Sequence, residues 1–488
     1  MKKYDVVIIG FGPTGGALAN LLALHGFSIL IVEKEKSFYP LPRAVHFDDE
    51  IMRVFQTIGI TDKFLKHTII NKGTKFVNSK NKEVLDWPRP RSVTENGWYP
   101  SYRFHQPDLE RKLRGRLKDF KKVTIMQNTK VVNLKEDKDS VKIILENVNN
   151  KIIKEISSKY VVGCDGANST TRQQIKAKFQ NLGFTQKWAV VDLILKKNKK
   201  ELPDRTIQYS NPKRPATYCR NVGKRRRWEF AIHDNESEKK VLSNSYIWNF
   251  LKPWLKPSDA FMERKTIYTF QSAISKNWKK GRVFLAGDAA HLMPPFMGQG
   301  MCAGIRDASN LSWKIAYCLK NNHSDKLLKT YQSERYSNVK EYIKTTAKMG
   351  EFVNAVGTSN ITGKVSSTPD GQKSMKSIKP KLGKGLGKVQ DKNRGKIFPQ
   401  FKIRNGKSLD DKFSLKPILI LSKEIKNNIP IYDIKELQNI FQNETLKFEL
   451  MAEWAWVLRE SSGAIVLHNA YKDASVIDEA TQLYEDII

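Results

Sequence analysis

Cysteine is scarce and scattered: the 488 residues hold four, at Cys164, Cys219, Cys302 and Cys318, with no C-x-x-C pair among them. That spacing indicates neither a disulfide framework nor a zinc site, and no metal centre is expected. Long apolar runs are missing too. The best candidate for a membrane span, Leu18 to Val32, is interrupted by His25 and Gly26. The first residues lack the charged, apolar and small-residue order of a signal peptide, so a cytoplasmic protein is expected. Acidic residues are few, 50 against 85 Lys and Arg, for a net charge of +35. Charge of that size can mark a nucleic-acid or anionic-membrane partner. Here no helix-turn-helix, RNA-binding or zinc-finger signature accompanies it, and the basic runs are short, as in KKNKK (Lys196 to Lys200) and KRRR (Lys224 to Arg227). Abundant Lys, Asn and Ile are what an AT-rich coding sequence produces. No nucleic-acid partner and no integral membrane segment are expected.

What is present is a chain long enough for two or three domains, with 40% hydrophobic residues and ten tryptophans to build cores. Tyr4 to Glu35 reads strand, tight turn, helix, strand: YDVVIIG is apolar and β-branched, GALANLLALHG has helical spacing, and FSILIVEK is a second buried strand. Further strands are predicted at Val123 to Met126, Val131 to Leu134, Val141 to Leu145 and Tyr160 to Gly163. Alternation from Lys187 to Phe230 predicts an antiparallel sheet. Helices are predicted over Met301 to Leu319 and Leu327 to Lys348. Gly357 to Gly395, rich in Gly, Ser, Lys and Pro, reads as a loop.

Three motifs carry chemistry. Gly10-Phe-Gly12-Pro13-Thr-Gly15 follows a strand and opens a helix, so its backbone N–H groups and the helix N-terminus suit a pyrophosphate. Glu33 stands at the end of the second strand, where a carboxylate accepts from ribose hydroxyls. With Lys34 beside it, this unit predicts a dinucleotide site without separating FAD from NAD. The second motif, VVGCDGANSTTR (Val161 to Arg172), again runs a strand into a glycine turn, at Asp165 and Gly166. The third, FLAGDAAHLMPPFMGQG (Phe284 to Gly300), sets Gly287 and Asp288 at a strand tip before a Pro-Gly-rich loop.

The ordered set GxGxxG, DG and GD resembles the single-component FAD-dependent aromatic hydroxylases, the p-hydroxybenzoate hydroxylase-like group. RAVHFDDEIMR, KWAVVDL, RRWEFAI, GQGMCAGIRDASNLSWKIA and TYQSER resemble in particular the 3-(3-hydroxyphenyl)propionate hydroxylases. The resemblance implies an α/β protein. A Rossmann-type FAD-binding domain (1–180 and 265–350) would carry an inserted antiparallel β substrate domain (181–264, with a contribution from about 70–105). A loop-rich connection (351–397) would lead to a short C-terminal α/β region of degenerate thioredoxin-like type (398–488). It also implies site residues. Asp288 would bond the ribityl chain of FAD, Asp165 and Gly166 would serve FAD and nicotinamide, and Arg43 and Gln106 would face the flavin. The loop Pro295, Gly298, Gly300, Met301 would lay backbone against the ring, with the positive end of the following helix at the edge where negative charge collects.

The same resemblance implies a monooxygenase. NADH or NADPH would reduce FAD, O2 would add to give the C4a-hydroperoxyflavin, and one oxygen would pass to a phenolic acid ortho to its hydroxyl, as in aromatic catabolism. A phenol with a pKa of about 10 costs roughly 4 kcal/mol to ionise at pH 7. His46 and Asp48, in the stretch near the flavin, are therefore candidates for catalysis. Arg214, Arg220 and Arg227 are candidates for a substrate carboxylate, with a solvated strand face as the alternative for each. A homodimer fits the family. Alternatives are a same-fold flavin monooxygenase acting on another phenol or on a polyketide, a halogenase, and a basic binding protein without flavin. WAWVLR (Trp454 to Arg459) lacks the Ile-Pro of the halogenase motif and lies near the C-terminus, which counts against a halogenase.

Overall fold

A computed structural model describes residues 2–321, 325–355, 378–386 and 394–400, with short pieces at 366–367, 373–374, 408, 410–411, 424–426, 429–433 and 466–468. It divides into two units, Met1–Phe401 and Lys402–Ile488. In the second unit a three-stranded sheet is described (Glu424–Lys426, Ile429–Asp433, Val466–His468). The thioredoxin-like expectation otherwise falls outside the described residues.

The first unit is built on a mainly parallel sheet centred on the strand Lys2–Ile9, whose Val6, Val7 and Ile8 have no exposed surface. Such a continuous apolar run suits a strand covered on both faces. It pairs in parallel with Ile153–Gly163 on one side and Ile29–Val32 on the other, and Val123–Met126 and Val283–Leu285 extend the sheet outward in parallel. The hairpin Thr129–Glu136/Val141–Asn147 joins through Ile153–Gly163. The helix Pro13–Ala23 opens with proline at its start, where the missing N–H costs nothing. It packs between the sheet and the long helix Gly300–Asn321, which is followed by Asp325–Ala355.

A second sheet, mainly antiparallel, rests on two long strands, Phe179–Leu195 and Ala260–Ser275. Arg225–Ala231, Ala216–Arg220 and Thr206–Ser210 continue it, and Gly73–Asn78 and Glu83–Pro88 complete that side. Trp188, Trp228 and Tyr218 are fully buried along these strands. Part of the stretch expected to be loop instead adds to the sheet edge: Ser366–Ser367 pairs with Lys373–Ser374, which lies beside Asp86. Short, polar and Gly-flanked, these residues carry no periodicity; the free edge of Glu83–Pro88 supplies the pairing.

A third, small sheet joins His46–Asp48 to Ser101–Phe104 and that strand to Thr68–Ile70. One face is an aromatic cluster in which Phe47 stacks on Tyr102 at 5.0 Å and meets Phe55, Phe64 and Phe104. The other carries His46, Ser101 and Arg103.

Candidate active site

Three loops that are far apart in sequence meet at the carboxyl ends of the parallel strands. Gly10 has φ +98°, and a Cβ there would lie 2.5 Å from the Cys164 carbonyl oxygen, so the glycine loop is pressed against the turn carrying Asp165. Gly287, at φ +63°, would set a Cβ 2.7 Å from the Thr14 hydroxyl, so the same loop is pressed against the Gly287–Asp288 turn. Arg172 closes the ring by donating to the Ala289 carbonyl at 3.1 Å. The contacts at Gly10 and Gly287 leave no room for a side chain.

Within this arrangement the predicted residues have distinct places. Pro13 opens the first helix, and Gly15 lies in its first turn against Gly10. Nothing lies within 4 Å of a Cβ built on Gly12, so this glycine is not required by the protein's own packing. Glu33 accepts from the Phe11 N–H at 2.8 Å and the Glu35 N–H at 3.0 Å, which sets its carboxylate beside the glycine loop. Lys34 points outward, 4.0 Å from Glu35. Asp165 caps the following turn, accepting from Ser169 (2.5 Å) and from the Thr171 N–H (2.9 Å), while Gly166 takes φ +80° in open space. Gln106 accepts from the Ala44 N–H at 2.7 Å and donates to Glu110 at 2.8 Å, fixing the loop on which exposed Arg43 lies over Tyr39.

Asp288 is exposed, yet the surrounding protein desolvates its carboxyl enough to push it up from the ordinary range. It stands at the tip of its turn, open to a ligand. The following loop passes Pro295, turns at Gly298 with φ +65°, and enters the long helix at Gly300 and Met301. Gly298 fits because a Cβ would meet His46 Nδ1 at 2.8 Å. An uncommitted open glycine at a helix N-terminus, a carboxylate beside it, and an exposed acid on the turn pressed against the same loop fit the pyrophosphate, ribose and ribityl groups of FAD.

Several residues that the sequence reading passed over hold these loops. Asp307, fully buried, accepts from the Gly287 N–H (3.0 Å), from Arg335 (2.8 Å) and bonds His291 (2.6 Å). Arg306 donates to Asp48, to Gln299 (2.9 Å) and to Glu50. Both lie in GIRDASN, inside a stretch already singled out, but helical spacing does not say which side chain turns inward. Asp192 pairs with Arg227 and Arg264, each at 2.7 Å.

The expected catalytic pair is placed together but differently engaged. Asp48 caps the helix Asp49–Ile58 and accepts from Gln299 (3.0 Å) and Arg306 (2.5 Å); burial opposes its ionisation, but Arg306 outweighs that and holds it below the ordinary range. His46 lies between the Gly298 carbonyl (3.2 Å) and the Ser101 hydroxyl (2.7 Å). Since a carbonyl only accepts, Nδ1 carries the proton and Nε2 accepts from Ser101. Burial, then the charges of Arg103 and Arg89, push His46 down to about 3, so its imidazole is neutral at pH 7.

The three arginines expected to meet a substrate carboxylate each have a carboxylate partner within the protein. Arg214 forms a two-pronged pair with Glu236 (2.7 and 3.0 Å), which the Arg214 hydrogen bonds hold down to about 2. Arg220 bonds Asp204 at 3.1 Å. Arg227 is buried rather than solvated, and besides Asp192 it donates to the carbonyls of Pro42 (2.7 Å) and Arg43 (2.8 Å). Charge alone, in an alternating strand, did not reveal these partners.

Among the described residues no helix is long and apolar enough to cross a membrane. Residues 3–346 match the model of the FAD binding domain family. A protein of Rhodococcus jostii (strain RHA1) named "Probable NADH-specific resorcinol 4-hydroxylase" is 35% identical over 407 residues, 82% of this chain and 75% of that protein. A 3-(3-hydroxy-phenyl)propionate/3-hydroxycinnamic acid hydroxylase of Mycolicibacterium smegmatis (strain ATCC 700084 / mc(2)155) is 33% identical over 350 residues, 72% of this chain. The chain spans 61% of the length of that second relative. The crystal structure of the flavin-dependent monooxygenase PieE in complex with FAD and substrate shares the fold, with a TM-score of 0.66 and 19% identity over 72% of this chain and 64% of that one. By sequence match and by fold, the chain belongs to the FAD-binding-domain family, as a single-component FAD-dependent aromatic hydroxylase.

Proposed function

We propose that this enzyme hydroxylates a phenol bearing a meta substituent, ortho to its hydroxyl, with NADH as reductant and a phenolic acid of the 3-(3-hydroxyphenyl)propionate type as substrate. The observation that carries the reading is the convergence of the glycine loop, the Asp165 turn and the Asp288 turn at one end of the parallel sheet, in a chain whose relatives are named for two meta-substituted phenols. Resorcinol is the second reading, favoured by the name of the Rhodococcus relative.

When bound, FAD would supply the redox chemistry, taking electrons from the nicotinamide and activating O2. Gly10, Gly12 and Gly15 would hold its pyrophosphate, Glu33 a ribose, and Asp288 the ribityl chain. The N–H groups of Gly300 and Met301 would face the ring edge that becomes negative on reduction. The remaining task is to favour the phenolate. His46, neutral and hydrogen-bonded at both nitrogens, is a weak base, and Asp48 is already tied to Arg306. The positive field of Arg103 and Arg89 that depresses His46 would lower the pKa of a phenol placed beside it in the same way.

The test is oxidation of NADH and of NADPH by FAD-loaded protein in air, with 3-(3-hydroxyphenyl)propionate, with resorcinol and with neither. Substrate-stimulated NADH oxidation and a product one oxygen heavier are expected. Bound flavin with no stimulation by either phenol would overturn the substrate class.

A further inference from the structure

A cavity of about 200 Å³ lies between the small sheet and the strand ends of the large one, and its walls carry Lys72, Arg103, Arg205 and Arg220 against a single carboxylate, Asp204. The other cations are matched. Asp204 bonds Lys72 at 2.5 Å and Arg220 at 3.1 Å, and Arg205 pairs with Asp86. Arg103 is not. It is 93% buried, its Nη2 donates to the Thr206 hydroxyl and its Nε has no partner; among the described residues no carboxylate lies within ion-pair distance of it, and Glu229, the buried acid whose charge reaches it, is paired with Arg227 at 3.6 Å. A buried guanidinium whose one hydrogen-bond acceptor is a neutral hydroxyl, on the wall of a cavity, is short of an anion.

Strand pairing and hydrogen bonds link the cavity wall to the candidate active site. Arg103 is the residue paired with His46 across the neighbouring strands, so the two side chains share a face, with Cβ atoms about 5 Å apart by sheet geometry. On the cavity wall, Asn71 donates to Ser101 at 2.8 Å, and Ser101 is bonded to His46, which reaches Gly298.

We infer that this cavity is the carboxylate end of the substrate site, with Arg103 as the residue that selects an aromatic acid over an uncharged phenol. Arg103 receives the carboxylate, and Lys72 and Arg220 add positive field at its mouth. A linker of propionate length then brings the ring to the His46 side. This inference rests on the hydroxylase reading and decides within it between a phenolic acid and resorcinol.

The first arm of the test needs no turnover. Binding of 3-phenylpropionate, which has the carboxylate and lacks the phenol, is measured by calorimetry on FAD-loaded protein without NADH. Wild type is expected to bind, and Arg103→Gln to bind about thirtyfold more weakly, the loss of a charge-assisted hydrogen bond. Ile70 lines the cavity and is 41% exposed, so Ile70→Trp is expected to block it without touching the core. The second arm is the ratio of kcat/KM for 3-(3-hydroxyphenyl)propionate to that for resorcinol, which Arg103→Gln should lower by a similar factor. Wild type that fails to bind 3-phenylpropionate, or binding and a ratio unchanged in the variants, would overturn the inference. If Arg103→Gln does not fold, Ile70→Trp decides alone. Failure of the hydroxylase reading shows differently, as 3-phenylpropionate binding intact with no phenol stimulating NADH oxidation.

Discussion

Arg306 Nη2 lies 2.5 Å from Asp48 Oδ2, joining residues 258 positions apart beneath the loop that turns at Gly298. Arg306 and Asp48 are both buried, and Gln299 bonds the two of them. Removing one partner leaves the other charge buried and unmatched. Arg306→Met is expected to lower unfolding free energy by about 3–5 kcal/mol, read from denaturant midpoints. In a double-mutant cycle, adding Asp48→Asn should recover part of that loss; simple additivity would show that the pair is not coupled.

Gly12 and Gly10 should separate ligand from fold. Gly12 has φ −77° and an open Cβ direction, so Gly12→Ala should leave the melting temperature of flavin-free protein within about 1 °C, because surface changes of this kind cost little. FAD retention, read at 450 nm after gel filtration, should nevertheless fall at least tenfold. Gly10→Ala forces a Cβ 2.5 Å from the Cys164 carbonyl at φ +98° and should destabilise the flavin-free protein as well. Equal retention of FAD by Gly12→Ala and wild type would remove the pyrophosphate from this loop.

For Asp288, desolvation raises the carboxyl without a hydrogen bond to reward it. Asp288→Asn is therefore expected to leave flavin-free stability unchanged or slightly improved while weakening FAD binding about tenfold or more, the loss of a charge-assisted bond. Equilibrium dialysis against FAD, set beside a thermal melt, measures both. A stability loss with FAD affinity intact would make Asp288 structural.

His46 bears on pH. Its folded value, pushed to about 3 by burial and by Arg103 and Arg89, lies below the ordinary 6.5 of the unfolded chain. Between those values the unfolded chain holds more protons, so this residue's contribution is fully present above about pH 6.5 and is lost progressively as pH falls toward 3. Unfolding free energies from pH 7 to 4 should therefore decline less steeply in His46→Gln than in wild type. In the same window a turnover profile should show no ionisation that disappears in His46→Gln. Parallel stability curves would place the His46 charge elsewhere.

The cofactor loops were legible in the sequence because backbone sterics write them there. Gly10, Gly15, Gly287 and Gly298 mark places where no Cβ fits, and the buried runs at Val6 to Ile9 and Ile29 to Val32 mark strands covered on both faces. The partners of charged side chains were not legible. An alternating strand shows that Arg227 points to one face, but only the folded sheet brings Asp192 and the Pro42 carbonyl to it. Likewise Arg103 reads as one basic residue among 85, and its burial without an ion pair follows from the small sheet meeting the large one around it. Local conformation is set by neighbours in the chain, through φ, ψ and periodicity. Charge pairing is set by distance in space, and the sequence leaves that to the tertiary structure.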